Sequence, residues 1–248
     1  MKSRHSLVVL LGLSLAACGG SEPSVDAGPP DLTVVDLGRD SGTEPDATAP
    51  DLGADAGGAI VLSNLAASCT APTDSVFALL PEEAGHYAAA RLMPSAYPFS
   101  VTSIDYRVGH LAGQLPQCDG GLAHRVNVFV IDGDVPGPAP STDGTLVQSF
   151  DVPAATVVDF RSIHLDLAPA VVLADGQSIV IAVQQAVDDL GAPTKVCCLA
   201  TCAGDPTAVP AVDYWSSAPA EPYDWQDLVV AYGFNLNLWV TATGVAAP

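Results

Sequence analysis

The sequence predicts an all-β fold, an antiparallel β-sandwich of the jelly-roll type, behind a disordered N-terminal tether. Three observations predict it. Apolar and polar residues alternate with period two over His124–Ile131, Gln177–Gln184 and Asn235–Thr243, the spacing of strands whose side chains point to opposite sheet faces. Asp-Gly pairs at positions 119–120, 132–133, 143–144 and 175–176 close apolar runs, where a turn needs a residue tolerant of positive φ. No stretch keeps a 3.6-residue apolar period. The nearest to one, Leu79–Ala90, contains Pro81 and Gly85, which interrupt a helix.

The strands follow in order. In His124–Ile131, Val126, Val128 and Val130 share one face, with Arg125, Asn127, Phe129 and Ile131 on the other. Ile179, Ile181 and Val183 form an inward face, as do Leu236, Leu238, Val240 and Ala242. Shorter runs predict strands at Ile60–Asn64, Ser75–Leu80, Tyr87–Leu92, Phe99–Val108, Leu146–Phe150, Arg161–Leu167, Val171–Ala174, Val212–Ser216 and Leu228–Tyr232. Asp188–Pro210 reads as a loop. Residues 59–248 are enough for one all-β domain, and two sheets closed face to face bury the inward positions of both.

Ahead of this domain the chain changes character. Residues 19–58 hold no aromatic residue, five Pro, eight Gly, nine acids and one base, Arg39. They cannot bury enough apolar surface to offset the entropy of ordering. A segment of this length reaches roughly 30–40 Å as a flexible coil, and charge repulsion extends it. Before it, Lys2 and Arg4 precede the apolar run Leu7–Ala17, which is too short to span about 30 Å of hydrocarbon and has the shape of a secretory signal.

That run ends Leu15-Ala16-Ala17-Cys18-Gly19 and resembles the lipobox of bacterial lipoproteins. The resemblance implies a signal peptide of residues 1–17, diacylglycerol on the Cys18 thiol, and a lipidated linker over 18–58. It also implies that the lipid bilayer is a partner, with the domain held in the cell envelope outside the cytoplasm. Gly19, in place of Asp, implies sorting to the outer membrane. A second resemblance spans residues 87–244. Tyr87-Ala-Ala-Ala-Arg91, Tyr97-Pro98-Phe99, Asp105-Tyr106-Arg107-Val108, Tyr214-Trp215-Ser216 and Trp225-Gln226-Asp227-Leu228 look like jelly-roll β-sandwich modules of secreted bacterial surface proteins, and imply that fold more than an activity.

Composition narrows function. The net charge is −20, so nucleic acid is not an expected partner, because phosphate binding needs a basic face. Five cysteines remain beyond Cys18: Cys69, Cys118, Cys197, Cys198 and Cys202. Outside the cytoplasm they oxidise, forming at most two bridges. The expected pairs are Cys69 with Cys118, and Cys202 with Cys197 or Cys198. A zinc or redox site lacks its spacing.

The histidines of the mature chain, His86, His110, His124 and His164, are scattered. No nucleophile elbow, phosphate loop or dinucleotide fingerprint occurs, and Glu82-Glu83 is the one Glu pair. No cofactor is expected, although Asp132, Asp134, Asp188 and Asp189 offer calcium-type oxygen ligands in turns. All three tryptophans lie in the last 34 residues, near Tyr214 and Tyr223. Tyr214, Trp215, Tyr223, Asp224 and Trp225 therefore make the candidate binding surface, since aromatic faces stack on sugars while acids and amides bind hydroxyls. These features favour a binding module without catalysis, with a carbohydrate or protein ligand. An envelope hydrolase whose site assembles from distant residues, and a purely structural envelope component, are the alternatives.

Overall fold

The computed structural model describes residues 58–66, 69, 76–77, 85–109, 118–133, 144–157, 160–188, 195–203, 212–216 and 218–246, which belong to one compact unit. The signal segment, Cys18 and the linker up to residue 57 lie outside the described residues, as do Glu82, Glu83, His110, Asp134 and Asp189.

Among the described residues there are fifteen strands and one helix. They are β1 (Ile60–Ser63), β2 (Val76–Phe77), β3 (Tyr87–Leu92), β4 (Phe99–Gly109), β5 (His124–Ile131), β6 (Gly144–Val152), β7 (Phe160–Leu173), β8 (Ser178–Gln184), β9 (Val187–Asp188), β10 (Lys195–Val196), β11 (Cys198–Ala203), β12 (Asp213–Ser216), β13 (Trp225–Asp227), α1 (Leu228–Tyr232), β14 (Leu236–Leu238) and β15 (Val240–Ala246). The seven-stranded sheet runs β1-β15-β4-β11-β14, with β7 beside β4 and β2 beside β11. The six-stranded sheet runs β13-β12-β3-β8-β5-β6. A small pair, β9 and β10, stands apart.

The connectivity is that of a jelly roll. Numbered one to eight along the chain, β1, β3, β4, β5, β6, β7, β8 and β15 fall into sheets ordered 1-8-3-6 and 2-7-4-5, the arrangement of two interlocked Greek keys. Between the seventh and eighth of these strands the chain makes a long excursion that contributes β9–β14 and α1.

Alternation decides which side chains fill the sandwich. Val126 and Val128, Ile179, Ile181 and Val183, and Leu238, Val240 and Ala242 all face inward as their spacing predicts. The Val, Ile and Leu side chains among them contribute roughly 1.5–3 kcal/mol each when fully buried. At the β4–β15 pairing a bulge falls between Thr243 and Gly244. A Cβ at Gly244 would run into the Ser100 carbonyl oxygen and the Phe99 ring, so the close approach requires glycine.

Several expectations change: Arg161–Leu167 and Val171–Ala174 lie in one strand, β7, and Asn235–Thr243 is divided between β14 and β15. Leu228–Tyr232 is helical, not extended: the Asp227 carboxylate accepts from the Val230 backbone N–H at 2.8 Å, and Gly233 at φ 71° closes the C-terminal end. These are ordinary helix caps. Within Asp188–Pro210, expected to be a loop, β11 pairs with β4, β2 and β14. The cysteines pair Cys69–Cys202 and Cys118–Cys198, with Cys197 free, not Cys69–Cys118 with a local bridge. The reason is β11 itself, since four extended residues separate Cys198 from Cys202 by about 13 Å, beyond disulfide reach. Both bridges instead fasten β11 of the excursion to distant parts of the chain.

Candidate functional site

The six-stranded sheet is apolar on both faces. The side turned away from the core carries Tyr87 and Ala89 of β3, Phe129 and Ile131 of β5, Val180 and Ala182 of β8, Tyr214 of β12 and Trp225 of β13, and these form a second cluster separate from the core. The registers bring them side by side: Ala89 lies opposite both Ala182 and Tyr214, Phe129 opposite Val180, and Ser216 opposite Trp225. A sheet buried on both faces needs a cover. Part of that cover is Tyr223, a half-buried residue from the segment that joins β12 to β13.

Tyr223 meets Tyr87 edge-on at 5.4 Å, Phe129 edge-on at 6.1 Å, and Trp225 at 5.2 Å between ring centroids. The amide of Asn127 donates to the Tyr223 hydroxyl at 3.3 Å and its Oδ1 accepts from Ser149 Oγ at 2.7 Å. Burial pushes the Tyr87 hydroxyl up to about 12, with Tyr223 adding to the effect. Along the edge of the cluster the Arg125 guanidinium pairs with Asp151 at 2.9 Å, and the Arg125 backbone N–H donates to Gln184 Oε1 at 3.1 Å. Aromatic faces thus lie beside amide, hydroxyl, guanidinium and carboxylate groups. This combination can stack a ring and bond its substituents.

The residues expected to form the site are distributed unevenly. Tyr214 and Trp225 lie on this outer face, both buried, and Tyr223 lies over it. Asp224 is exposed at its margin and accepts from Gln226 Nε2 at 3.4 Å. Trp215 points the other way, 2% exposed in the core among the inward residues of the same sheet. Adjacent strand residues face opposite sides, so Tyr214 and Trp215 cannot share one surface. The Trp225 indole N–H is buried and has no hydrogen-bond partner among the described residues. Burial also raises the Tyr214 hydroxyl, an effect partly offset by the Arg91 guanidinium. Arg91 is itself buried and donates to Ser178 Oγ and the Gly133 carbonyl.

Sequence reasoning missed Tyr87, Asn127, Phe129, Arg125, Asp151 and Gln184. The available signal was the apolar character of both faces of β5 and β8. Trp239, the third tryptophan, lies on the seven-stranded sheet under the Arg107 guanidinium, 4.8 Å from the ring centroid.

Other polar groups are arranged differently. In the core, Tyr106 Oη lies 2.7 Å from His124 Nε2, while His124 Nδ1 lies 2.9 Å from the Leu122 carbonyl and 3.8 Å from Cys197 Sγ. Burial holds His124 below its usual pKa and pushes the Cys197 thiol up to about 12. Both groups are therefore neutral, the opposite of an activated thiolate–imidazolium pair. On the seven-stranded sheet, His164 bonds Asp105 at 2.8 Å and Asp166 at 3.3 Å in the open. A cleft of about 420 Å³ between β6 and β7 is lined by Val130, Thr145, Val147, Gln148 and Pro169 among others, without an aromatic ring. Among the described residues no group of three His, Cys, Asp or Glu side chains could hold a metal ion.

No family model and no curated protein matches the chain. Solved structures do. One is the cysteine protease and lectin-like domains of Cwp84, a surface-layer-associated protein of Clostridium difficile, at 13% identity and TM-score 0.45, covering 65% of this chain and 32% of that one. Another is the clostridial cysteine protease Cwp84 after propeptide cleavage, at 14% identity and TM-score 0.44, covering 65% and 36%. This chain thus spans about a third of the length of those chains. The expectation that the protein is not an enzyme is withdrawn, because the matched chains include a cysteine protease domain beside lectin-like domains.

Proposed function

We infer that the domain faces the extracellular space or the cell envelope, where its two disulfides are stable. We propose that this domain is carried on a lipid-anchored envelope protein and recognises a carbohydrate on the outer face of its six-stranded sheet. The observation that carries the reading is the aromatic cluster outside the core, Tyr87, Phe129 and Trp225, with Tyr223 packed over it, bordered by Asn127 and by the Arg125–Asp151 pair. A sugar presents C–H faces that stack on aromatic rings and hydroxyls that bond amides and ions, so both halves of this surface have a counterpart in one ligand. The Leu15-Ala16-Ala17-Cys18 sequence supports the anchor, and two acyl chains suffice for stable membrane attachment where one does not.

A glycan array probed with detergent-extracted full-length protein tests the reading. Binding to a defined set of glycans is expected, and it weakens in Asn127→Ala and Trp225→Phe, which alter the polar and aromatic halves separately. Absence of binding to every glycan overturns it. Intact mass tests the anchor: cleavage before Cys18 plus diacylglycerol is expected, and an unlipidated mass removes the membrane.

A further inference from the structure

We propose that Tyr223 is a built-in plug: the chain closes its own carbohydrate recess with this ring, and a neutral or amino sugar enters by displacing it. The inference rests on the carbohydrate reading above and adds to it a closed state and a ligand class.

The recess is defined by what surrounds the ring. Tyr87 and Phe129 stand edge-on to it and Trp225 lies tilted beside it. Between those aromatics the sheet presents Ala89 and Ala182, both fully buried and ending at Cβ. Small residues flanked by large rings make the floor of the recess, and Tyr223 packs against this cluster. The plug arrives on an exposed segment. Ala220, Glu221, Pro222 and Asp224 are all exposed, while Tyr223 alone among them turns inward. The segment is pinned where it leaves β12, as Ser216 Oγ bonds both the N–H and the carbonyl of Ala218. In the open state proposed here Tyr223 swings out with this segment, while β12 and β13 keep their pairing.

The second observation concerns a donor. The Trp225 indole N–H is buried with no acceptor among the described residues, although buried donors in native proteins are nearly always paired. Tyr223, the ring beside it, leaves that donor unsatisfied in the closed state. A sugar ring in the same place brings what the plug lacks, an oxygen for the indole N–H and hydroxyls for the Asn127 amide, while keeping an apolar face for Tyr87 and Phe129. A purely aliphatic ligand would leave the donor unpaired. The sign of the charge follows from the domain, where residues 59–248 hold 19 acids and 5 bases. This field repels anionic sugars and admits neutral or amino sugars.

A closed recess lowers apparent affinity by the fraction of molecules that are open. The test compares full-length wild type with Tyr223→Ala, first on a glycan array and then by calorimetry with the strongest array glycan. Tyr223→Ala is expected to bind the same neutral or amino glycans about tenfold more tightly or better. Equal or weaker binding overturns the plug and leaves the carbohydrate reading standing, since Tyr223 is then part of the platform. No glycan bound by either protein overturns both. p-Cresol, the tyrosine side chain without its backbone, should raise the melting temperature of Tyr223→Ala and leave wild type unchanged. No shift in the variant overturns the preformed recess. Should Tyr223→Ala not fold, Tyr223→Phe keeps the ring packing and drops the hydroxyl contact to Asn127. It should bind the glycan more tightly than wild type by a smaller factor, and weaker binding counts against the plug.

Discussion

Tyr106 and His124 join the two sheets of the sandwich through the core, hydroxyl to Nε2 at 2.7 Å, with the rings edge-on at 5.7 Å. With His124 neutral and its Nδ1–H given to the Leu122 carbonyl, Nε2 accepts from Tyr106. Tyr106→Phe keeps the ring and strands that acceptor in a dry core. The variant is expected to lose about 1–3 kcal/mol of stability, read by chemical denaturation.

His124 also sets an acid limit. Its pKa in the folded protein is lowered, first by burial, so the unfolded chain binds the proton more readily and stability falls as pH drops below about 6.5. His124→Gln should flatten this part of the profile in a pH series of melting curves. An unchanged slope would show that the acid sensitivity arises elsewhere.

Asp213 has the opposite sign. Its carboxyl is buried, 2% exposed, faces the core from β12, and has no cationic partner among the described residues. Burial raises its pKa well above the usual carboxylate range, and the charge on Asp227 adds to this. The folded state therefore holds the proton more tightly than the unfolded chain, and stability from this group declines as pH rises above about 4. Asp213→Asn should stabilise the protein at pH 7 by about 1–3 kcal/mol and change little at pH 3.5. A loss of stability at pH 7 would mean that the carboxylate is paired.

The fold was legible wherever side chains alternate on one buried face. Val126 and Val128, Ile179 to Val183, and Leu238 to Ala242 announced both inner surfaces, and β3 and β5 have the bounds that their apolar runs predict. The excursion was not legible. In α1, Leu228 alone is fully buried, so a helix of one turn left no periodicity, and its Asp227 and Gly233 caps were the only signal. β11 pairs across 133 and 80 residues to its disulfide partners, a distance over which spacing says nothing. At the candidate site the late aromatics were visible, but Tyr87 and Asn127 became relevant only through strand registers that place β3 and β5 on either side of β8.

The thiol of Cys197 gives a further prediction. It is fully buried and held neutral, pushed up to about 12 chiefly by burial. The native protein should show no thiol that reacts with a disulfide reagent, and denaturation without reductant should expose one. A reactive thiol in the native state would contradict the packing against His124. Cys202→Ala, which opens the bridge to Cys69, should cost about 2–5 kcal/mol.

On the seven-stranded sheet, the hydrogen bond that His164 donates to Asp105 raises the His164 pKa, with a smaller contribution from Asp166. Its small stabilisation is full below the unfolded value of about 6.5 and fades as pH rises through the folded value. Proton NMR should place the His164 titration above 6.5, and Asp105→Asn should lower it. A wild-type midpoint at or below 6.5 would show that the pair does not form in solution.

The three tryptophans sit in three environments: Trp215 in the core, Trp225 on the outer face of the six-stranded sheet, and Trp239 beneath Arg107 on the seven-stranded sheet. Their indole N–H signals in an ¹⁵N-labelled sample, assigned by single Trp→Phe variants, report which surface a glycan touches. Carbohydrate recognition at the Tyr87–Phe129–Trp225 face predicts that an array-selected glycan moves the Trp225 signal downfield, as its N–H gains an acceptor, while Trp215 and Trp239 stay in place. A shift confined to Trp239, or no indole shift at saturating glycan, would contradict it.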